Sequence, residues 1–289
     1  MLQKRSLSGR LFKLWFAPVD AVRLDTFRVF IGIALSLYML FRWAYAAEWL
    51  TQNGFHLSSA CDPCCDWSVP LLKIRGLWVF AAVFFGGIFL FTVGRQVRWA
   101  ALVSLIGLIY VSAADPLSFF SPNKILMCIL AVFVLAPAGR YWFSSDKTIK
   151  YISAWPVRTL QAFIIIHLFM AGWSKIVFGE WSFNLYVLWT QMQGTFRTDL
   201  AAFLLRHMPI AGWKGMQMGS LLFELFAPVL LIVPSFRRIG IIGGVIFQLM
   251  IALTMKHLIY FNLINISFFA LFIDEAFWHS ILGNKMEKK

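Results

Sequence analysis

Apolar residues dominate this chain in eight long stretches separated by short polar segments. A helix needs about 20 mostly apolar residues to cross the hydrocarbon core of a bilayer. The pattern therefore predicts an all-α, polytopic transmembrane helix bundle with eight spans, at residues 27–47, 76–94, 97–115, 125–143, 157–178, 217–235, 239–257 and 258–276. Almost nothing separates the last two stretches, which form either a tight hairpin or one long bent segment.

The composition supports this fold class. Hydrophobic residues make up 60% of the chain and charged residues only 13%, whereas a soluble domain carries about 25% charged residues. We expect three parts: a basic interfacial segment at 1–26, a transmembrane domain at 27–276, and a short basic tail at 277–289. The first apolar stretch is interpreted as an uncleaved membrane helix, since the region before it is long for a signal peptide.

The distribution of the basic residues indicates the orientation of the chain in the membrane rather than nucleic-acid binding. The net charge is +13, but lysine and arginine lie in short segments between apolar stretches. If the N-terminus is cytoplasmic, 17 of the 26 basic residues fall in cytoplasmic segments, as the positive-inside rule requires. We therefore expect a multi-pass protein of the cell membrane, with both termini inside, with lipid and not nucleic acid as a partner, and with 48–75 and 179–216 as extracytoplasmic loops.

The fifth span carries a lysine near its outer end. Lys175 stands in an apolar stretch, and a lysine is costly to keep in hydrocarbon, so it is a functional-site candidate. At about 100° per residue, one stripe of the helix would carry His167, Ala171, Ser174 and Lys175. The alternative is that Lys175 extends its amine to the outer headgroups.

The role of Lys175 depends on its neighbours. Burial disfavours the ammonium, and a neutral amine in a dry pocket is a general base. Glu224 of the sixth span would instead favour the ammonium and form an ion pair. Lys175 is thus either a base, with Glu224 turned away, or half of an ion pair, and His167 is either catalytic or an interhelical hydrogen-bond partner.

Other polar residues are expected at the same depth. Five spans deliver polar groups to the outer half of the membrane, which suggests a pocket opening outward: Asn123, Lys124, Ser174, Lys175, Glu224, Lys256, His257, Asn262 and Asn265. Lys124, Lys256 and His257 lie near span ends and also fit ordinary interfacial positions. Structural roles are expected for the neighbouring Asp25 and Arg28, which pair readily on a helix, and for Gly240 and Gly244, which mark close helix packing.

Three cysteines lie in the first extracytoplasmic loop. Cys61 and Cys64 form a C-x-x-C motif, followed at once by Cys65. A structural disulfide suits an oxidising compartment, and a redox-active dithiol is the alternative. We predict no metal site, because no second cysteine pair follows. Cys128, within a span, is expected in the core.

Several short motifs resemble one family of membrane proteins. They run in order over most of the chain: Arg28-Val-Phe-Ile-Gly32, Glu48-Trp-Leu-Thr-Gln-Asn-Gly54-Phe, Ser121-Pro-Asn-Lys124, Phe133-Val-Leu-Ala-Pro137, Trp155-Pro-Val-Arg158, Ala171-Gly-Trp-Ser-Lys175 with Trp181, Phe223-Glu224-Leu-Phe-Ala-Pro228, and His257. The chain thus resembles the HTTM (horizontally transferred transmembrane domain) superfamily, which is shared with the vitamin K-dependent γ-carboxylases. The Ala-Gly-x-x-Lys…Trp piece is the most telling.

The resemblance implies a role for Lys175. In the carboxylases, the lysine of this piece acts as a base that deprotonates a quinol cofactor, at a site facing the lumen. Carried over, this implies catalytic roles for Lys175, His167 and Glu224 and a quinone-type lipid cofactor. The expected cofactor-binding residues are Trp181, Asn123, Lys124, His257 and Asn262.

This chain also departs from the carboxylases. Asn123-Lys124 stands where they have an Asn-His pair, and nothing here matches their large lumenal domain. In size the chain resembles short bacterial members such as the sporulation-delaying protein B family, implicated in maturing a secreted peptide toxin with a partner protein. We therefore expect modification or maturation of a secreted peptide at the extracytoplasmic face. The alternatives are a non-catalytic membrane partner, chaperone or immunity-type receptor, a transporter, and thiol–disulfide chemistry through Cys61 and Cys64.

Overall fold

The computed structural model describes residues 15–54, 69–114, 120–136, 142 and 151–282. These residues are mostly helical, in keeping with the predicted fold class. The chain forms two compact units, each described by itself below. The first contains Met1–Ala17 and Val157–Trp278, and the second contains Pro18–Pro156 and His279–Lys289.

The elements follow one another in this order: β1 (Pro18–Asp20), α1 (Val22–Trp43), α2 (Ala46–Leu50), α3 (Ile74–Val93), α4 (Val97–Ala114), α5 (Ser121–Leu135), β2 (Tyr151–Ser153), α6 (Trp155–Val177), α7 (Val187–Gln191), α8 (Asp199–His207), α9 (Ile210–Ile232), α10 (Arg237–Thr254), α11 (Ile259–Phe269) and α12 (Glu275–Leu282). A short 3₁₀ turn, Ala270–Phe272, extends α11.

Six of the described helices are long and apolar enough to cross a membrane: α1, α3, α4, α6, α9 and α10. A seventh is obtained if α11 with its 3₁₀ turn and α12 form one span bent by 103°. The coarse prediction of a multi-span helical membrane protein is thereby supported. The predicted fourth span corresponds to α5, which has only 15 residues in the described part.

The last two predicted spans form a hairpin. The chain turns between Thr254 and Ile259, and Gly244 of α10 lies so close to the ring of Phe269 that a Cβ there would meet it at 2.1 Å. The stretch at 258–276 is not one straight helix, because the backbone becomes extended at Ile273 (ψ 144°) before α12 begins. Close packing at Gly244, and at Gly240 against the Leu230 carbonyl, agrees with the packing role predicted for this glycine pair.

Asp25 and Arg28 pair inside the second unit, as predicted. Both side chains are fully buried, and Nη2 of Arg28 lies 2.8 Å from Asp25 Oδ1. Nη1 of Arg28 donates to the carbonyls of Phe91 and Thr92 in the last turn of α3. The last carbonyls of a helix lack the usual donors one turn on, and Phe91 accepts one further bond, from the amide of Gly94 at 3.2 Å. Arg28 therefore helps to cap α3 and ties it to α1.

Two short strands in the second unit were not predicted. β1 and β2 pair antiparallel, with Val19 opposite Ile152. Next to them, Asp20 Oδ1 accepts from the amide of Val22 at 2.9 Å, and Asp20 Oδ2 lies 2.5 Å from Nε2 of His279. Both side chains are buried. This contact links His279 to the residue that precedes α1 by two positions, within the second unit.

One cysteine prediction is corrected. Cys128 is exposed on α5 rather than buried in the core. Cys61, Cys64 and Cys65 lie outside the described residues, as do 1–14 of the basic N-terminal segment and 283–289 of the tail.

Candidate functional site around Lys175 and Glu224

Gly172 lets α6 and α9 approach each other in the first unit. A Cβ at this position would lie 2.9 Å from Cβ of Glu224 and 3.1 Å from the amide nitrogen of Leu225. Both atoms belong to the framework of α9 and not to a flexible side-chain end. The glycine three residues before Lys175 therefore brings the lysine within reach of the carboxylate.

Lys175 and Glu224 form an ion pair. The Lys175 amine lies 2.6 Å from each carboxylate oxygen of Glu224. The Glu224 side chain is 6% exposed and that of Lys175 is 24% exposed. Of the two arrangements open to the sequence, the structure contains the ion pair, with one side of the amine still open.

Trp181 covers another side of the amine. Nζ of Lys175 lies 4.6 Å from the centre of the Trp181 ring, a cation–π distance that favours the ammonium. The chain doubles back beyond α6, where Glu180 has a positive φ of 55° and the amide of Trp181 donates to the Lys175 carbonyl at 3.2 Å. Trp181, expected as a cofactor-binding residue, thus lies against the amine of Lys175.

Gln217 fastens the segment that carries Trp181. Its Nε2 donates to the carbonyls of Trp181 and Asn184, both at 2.8 Å, and its Oε1 accepts from the amide of Leu188 at 2.9 Å. Gln217 is fully buried. The sequence pattern did not single out this residue, because the sixth span was predicted to start at 217, whereas α9 begins at Ile210.

An apolar cluster rich in sulfur and aromatic rings surrounds Trp181. Its buried members include Trp213, whose indole Nε1 has no acceptor among the described residues. The other members are Leu188, Met192 and Ala201, with Val187, Trp189, Leu204, Leu205, Met208, Met216 and Met255 packed against them. The buried Nε1–H donor of Trp213 therefore lies in an apolar cluster of methionine, leucine and tryptophan side chains that also includes Trp181.

The structure does not bring His167 to the ion pair. His167 lies eight residues before Lys175, which is about 12 Å along a helix. Its ring contacts those of Phe163 and Phe261, each with centroids 6.2 Å away, and no hydrogen bond to another described residue is seen. The expected stripe is present in the helix, but only its Lys175 end joins the site.

Two other predicted residues of the first unit lie on the α10–α11 hairpin. His257 is exposed in the turn, with a positive φ of 69°. Asn262 is buried on α11, where its Nδ2 donates to the Leu258 carbonyl at 2.7 Å and its Oδ1 has no donor among the described residues. Among the described residues, no hydrogen bond or ion pair joins either of them to Lys175 or Glu224.

Asn123 and Lys124 belong to the second unit. Asn123 is fully buried at the start of α5, and Lys124 is exposed. The carboxamide of Asn123 accepts from the Tyr38 hydroxyl at 2.7 Å and donates to the Ser112 hydroxyl at 2.8 Å. It is therefore an interhelical linker between α1, α4 and α5.

Comparisons with protein-family models, with curated proteins and with solved structures gave no match. The described residues contain no group of three or more His, Cys, Asp and Glu side chains that could hold a metal ion. The chemistry of the candidate site therefore follows from its own geometry. A lysine and a glutamate in direct contact can share a proton. The exposed side of the Lys175 amine can also form a hydrogen bond with a further group.

Proposed function

We propose that this chain is a cell-membrane protein with eight spans and cytoplasmic termini, and that it modifies or matures a secreted peptide at the extracytoplasmic face. The observation that carries the proposal is the Lys175–Glu224 pair, set in apolar helices with one side of the amine open. Ionisable residues in membrane spans are rare and mark functional sites more often than other polar residues do. The resemblance to the HTTM superfamily, with its lysine at the same motif position, points to the same class of function.

The pair would act as a coupled acid and base. Transfer of one proton from Nζ of Lys175 to an oxygen of Glu224 breaks an N–H bond, forms an O–H bond and leaves both groups neutral. The net charge of the pair is zero before and after the transfer, which suits a site with little water. The free amine can then take a proton from a bound substrate or cofactor and become an ammonium again.

A quinone-type cofactor fits the residues next to this pair. Trp213 offers a buried N–H without an acceptor among the described residues, and thioether and indole groups suit an aromatic ring. Trp181 and Trp213 would hold the ring, and the methionines would line its sides. When bound, a quinol would supply a removable proton and the reducing power for the modification.

Measurement of intact peptide masses tests this proposal. The protein in lipid nanodiscs is incubated with the secreted peptides of cells that lack it, and intact peptide masses are measured. We expect a mass change with the wild type and none with Lys175→Met. Lys214→Met is the matched control, because that amine also lies on a ring, 4.5 Å from the centre of Tyr186, and it should stay active.

The double variant K175E/E224K decides what the pair does. It keeps two opposite charges in contact but moves the amine to the other helix. A folded but inactive double variant supports acid–base chemistry at position 175. If the double variant restores activity that each single variant lacks, the pair only joins two helices, and the catalytic role is wrong.

The second candidate is a non-catalytic membrane partner for a peptide. The ion pair itself favours it, because an amine held by two carboxylate oxygens at 2.6 Å is a stable link between helices. This function predicts that a peptide co-purifies with the protein and keeps its mass. Such a result, with no mass change for the wild type, would replace the first proposal.

A further inference from the structure

Arg42 ends the apolar helix α1 in a cage of aromatic rings in the second unit. Its guanidinium carbon lies 4.5 Å from the ring centre of Trp49, 5.4 Å from that of Phe120 and 5.5 Å from that of Tyr38. Each ring face attracts a cation, so the position of the guanidinium is well defined. No carboxylate among the described residues pairs with it.

One edge of the guanidinium is fixed by neutral oxygens. Nη1 donates to the Tyr38 hydroxyl at 3.1 Å and lies 3.4 Å from Asn123 Oδ1. The Tyr38 hydroxyl in turn donates to Asn123, and Asn123 donates to Ser112. This directed chain of hydrogen bonds holds Arg42 in one orientation and supplies no negative charge.

The other edge of the guanidinium makes no hydrogen bond within the described chain. Nε and Nη2 form the parallel pair of donors with which arginine binds carboxylate and phosphate oxygens. Arg42 is half-buried, so this edge is reachable from outside. A half-buried guanidinium whose Nε and Nη2 donors are oriented in this way can bind an oxyanion.

The surroundings favour an anion that lies in the membrane surface. Three further basic side chains lie at the starts of α3 and α5, at the same end of the second unit: Lys73, Arg75 and Lys124. Tyr45 and Phe120 beside Arg42 are 61% and 54% exposed, as expected for aromatic residues at the lipid–water boundary. Aromatic belts mark the headgroup level of a bilayer, where phospholipid phosphates lie.

We propose that Arg42 binds the phosphate of an anionic phospholipid through Nε and Nη2, with Trp49, Phe120 and Tyr38 holding the guanidinium. This site is separate from the Lys175–Glu224 pair and does not depend on the proposed function. Asn123, predicted as a cofactor ligand, serves here to orient the arginine.

Native mass spectrometry of the purified protein tests this site, with phosphatidylglycerol and phosphatidylcholine competing at equal concentration. We expect a preference for phosphatidylglycerol of about fivefold, since one basic side chain near an anionic surface contributes about 1 kcal/mol. Arg42→Gln should abolish most of the preference. Arg75→Gln removes the same charge at the same end, outside the cage, and should keep it.

Three outcomes overturn the proposal. Equal losses in Arg42→Gln and Arg75→Gln would show a general field effect instead of a site. No preference in the wild type would show that no such site exists. Equal thermal stabilisation of the detergent-solubilised wild type by sodium phosphate and by phosphatidylglycerol would show a site for a soluble anion. If Arg42→Gln fails to fold, Arg42→Lys retains the charge without the fork and should lose the preference in part.

Discussion

The amine of Lys175 lies 2.6 Å from both carboxylate oxygens of Glu224, and the two residues stand on different apolar helices. This contact joins residues 49 positions apart in the chain. It makes each residue dependent on the other, because a charge left alone in apolar surroundings is costly.

Breaking this pair should destabilise the protein. Lys175→Met leaves the carboxylate of Glu224, 6% exposed, without its partner, and we expect a loss of about 3–5 kcal/mol in the free energy of unfolding. Adding Glu224→Leu should recover most of that loss, since the unpaired charge is then gone. Unfolding in detergent, measured for both single variants and the double variant, gives the coupling energy, and additive losses would contradict a direct pair.

Gly172→Ala should separate α6 from α9. The added methyl meets the Cβ of Glu224 and the backbone of Leu225, so we expect a loss of about 1–3 kcal/mol and a weaker Lys175–Glu224 contact. Gly219→Ala is the control on α9, because nothing lies within 4 Å of a Cβ there. That variant should be neutral or more stable by up to about 1 kcal/mol. The prediction fails if the two alanine variants have equal stability.

Gln217→Leu should loosen the segment that carries Trp181. The variant removes three hydrogen bonds to the backbone of residues 181–188, each contributing about 1 kcal/mol. Hydrogen–deuterium exchange should become faster in this segment, above all at the amide of Leu188. Gln193→Leu is the control, since Gln193 is exposed and its side-chain amide donates to the Trp189 carbonyl, outside the fastened contacts of Gln217. Unchanged exchange in Gln217→Leu would mean that apolar packing alone holds the segment.

Arg28→Met should uncap α3 and remove the buried cation that pairs with Asp25. Both side chains are fully buried, and removing one partner of a buried pair costs about 3–5 kcal/mol. Arg95→Gln removes a positive charge just beyond the same helix end, but Arg95 is exposed, so its effect should stay below about 0.5 kcal/mol. Thermal unfolding of both variants checks the difference. A stability loss as small as that of Arg95→Gln would refute the capping role.

Several features of the fold were predictable from local sequence. Apolar stretches predict membrane helices because length and composition decide whether a segment can replace water by lipid. The Asp25–Arg28 pair was predictable because three residues along a helix bring the two side chains together. Boundaries were less accurate: Trp213 and Lys214 interrupt the apolar pattern, so the predicted sixth span began seven residues after Ile210.

Contacts between distant segments needed the tertiary structure. The sequence leaves open whether Glu224 turns toward Lys175 or away from it, and the approach of α6 and α9 at Gly172 brings the two into contact. Arg42 drew no attention in the sequence, because an arginine at a span end is ordinary until its rings, its neutral partners and its free edge are seen together.

The sequence by itself determined that the chain is an apolar bundle of helices and which helix carries an unusual lysine. Periodicity and hydropathy are local properties, because they depend only on residues that are close together along the chain. The tertiary structure decided which charges are paired, which amides join helices and which side of Arg42 stays open. Those properties depend on distances of a few ångströms between segments far apart in the chain, which no local pattern encodes.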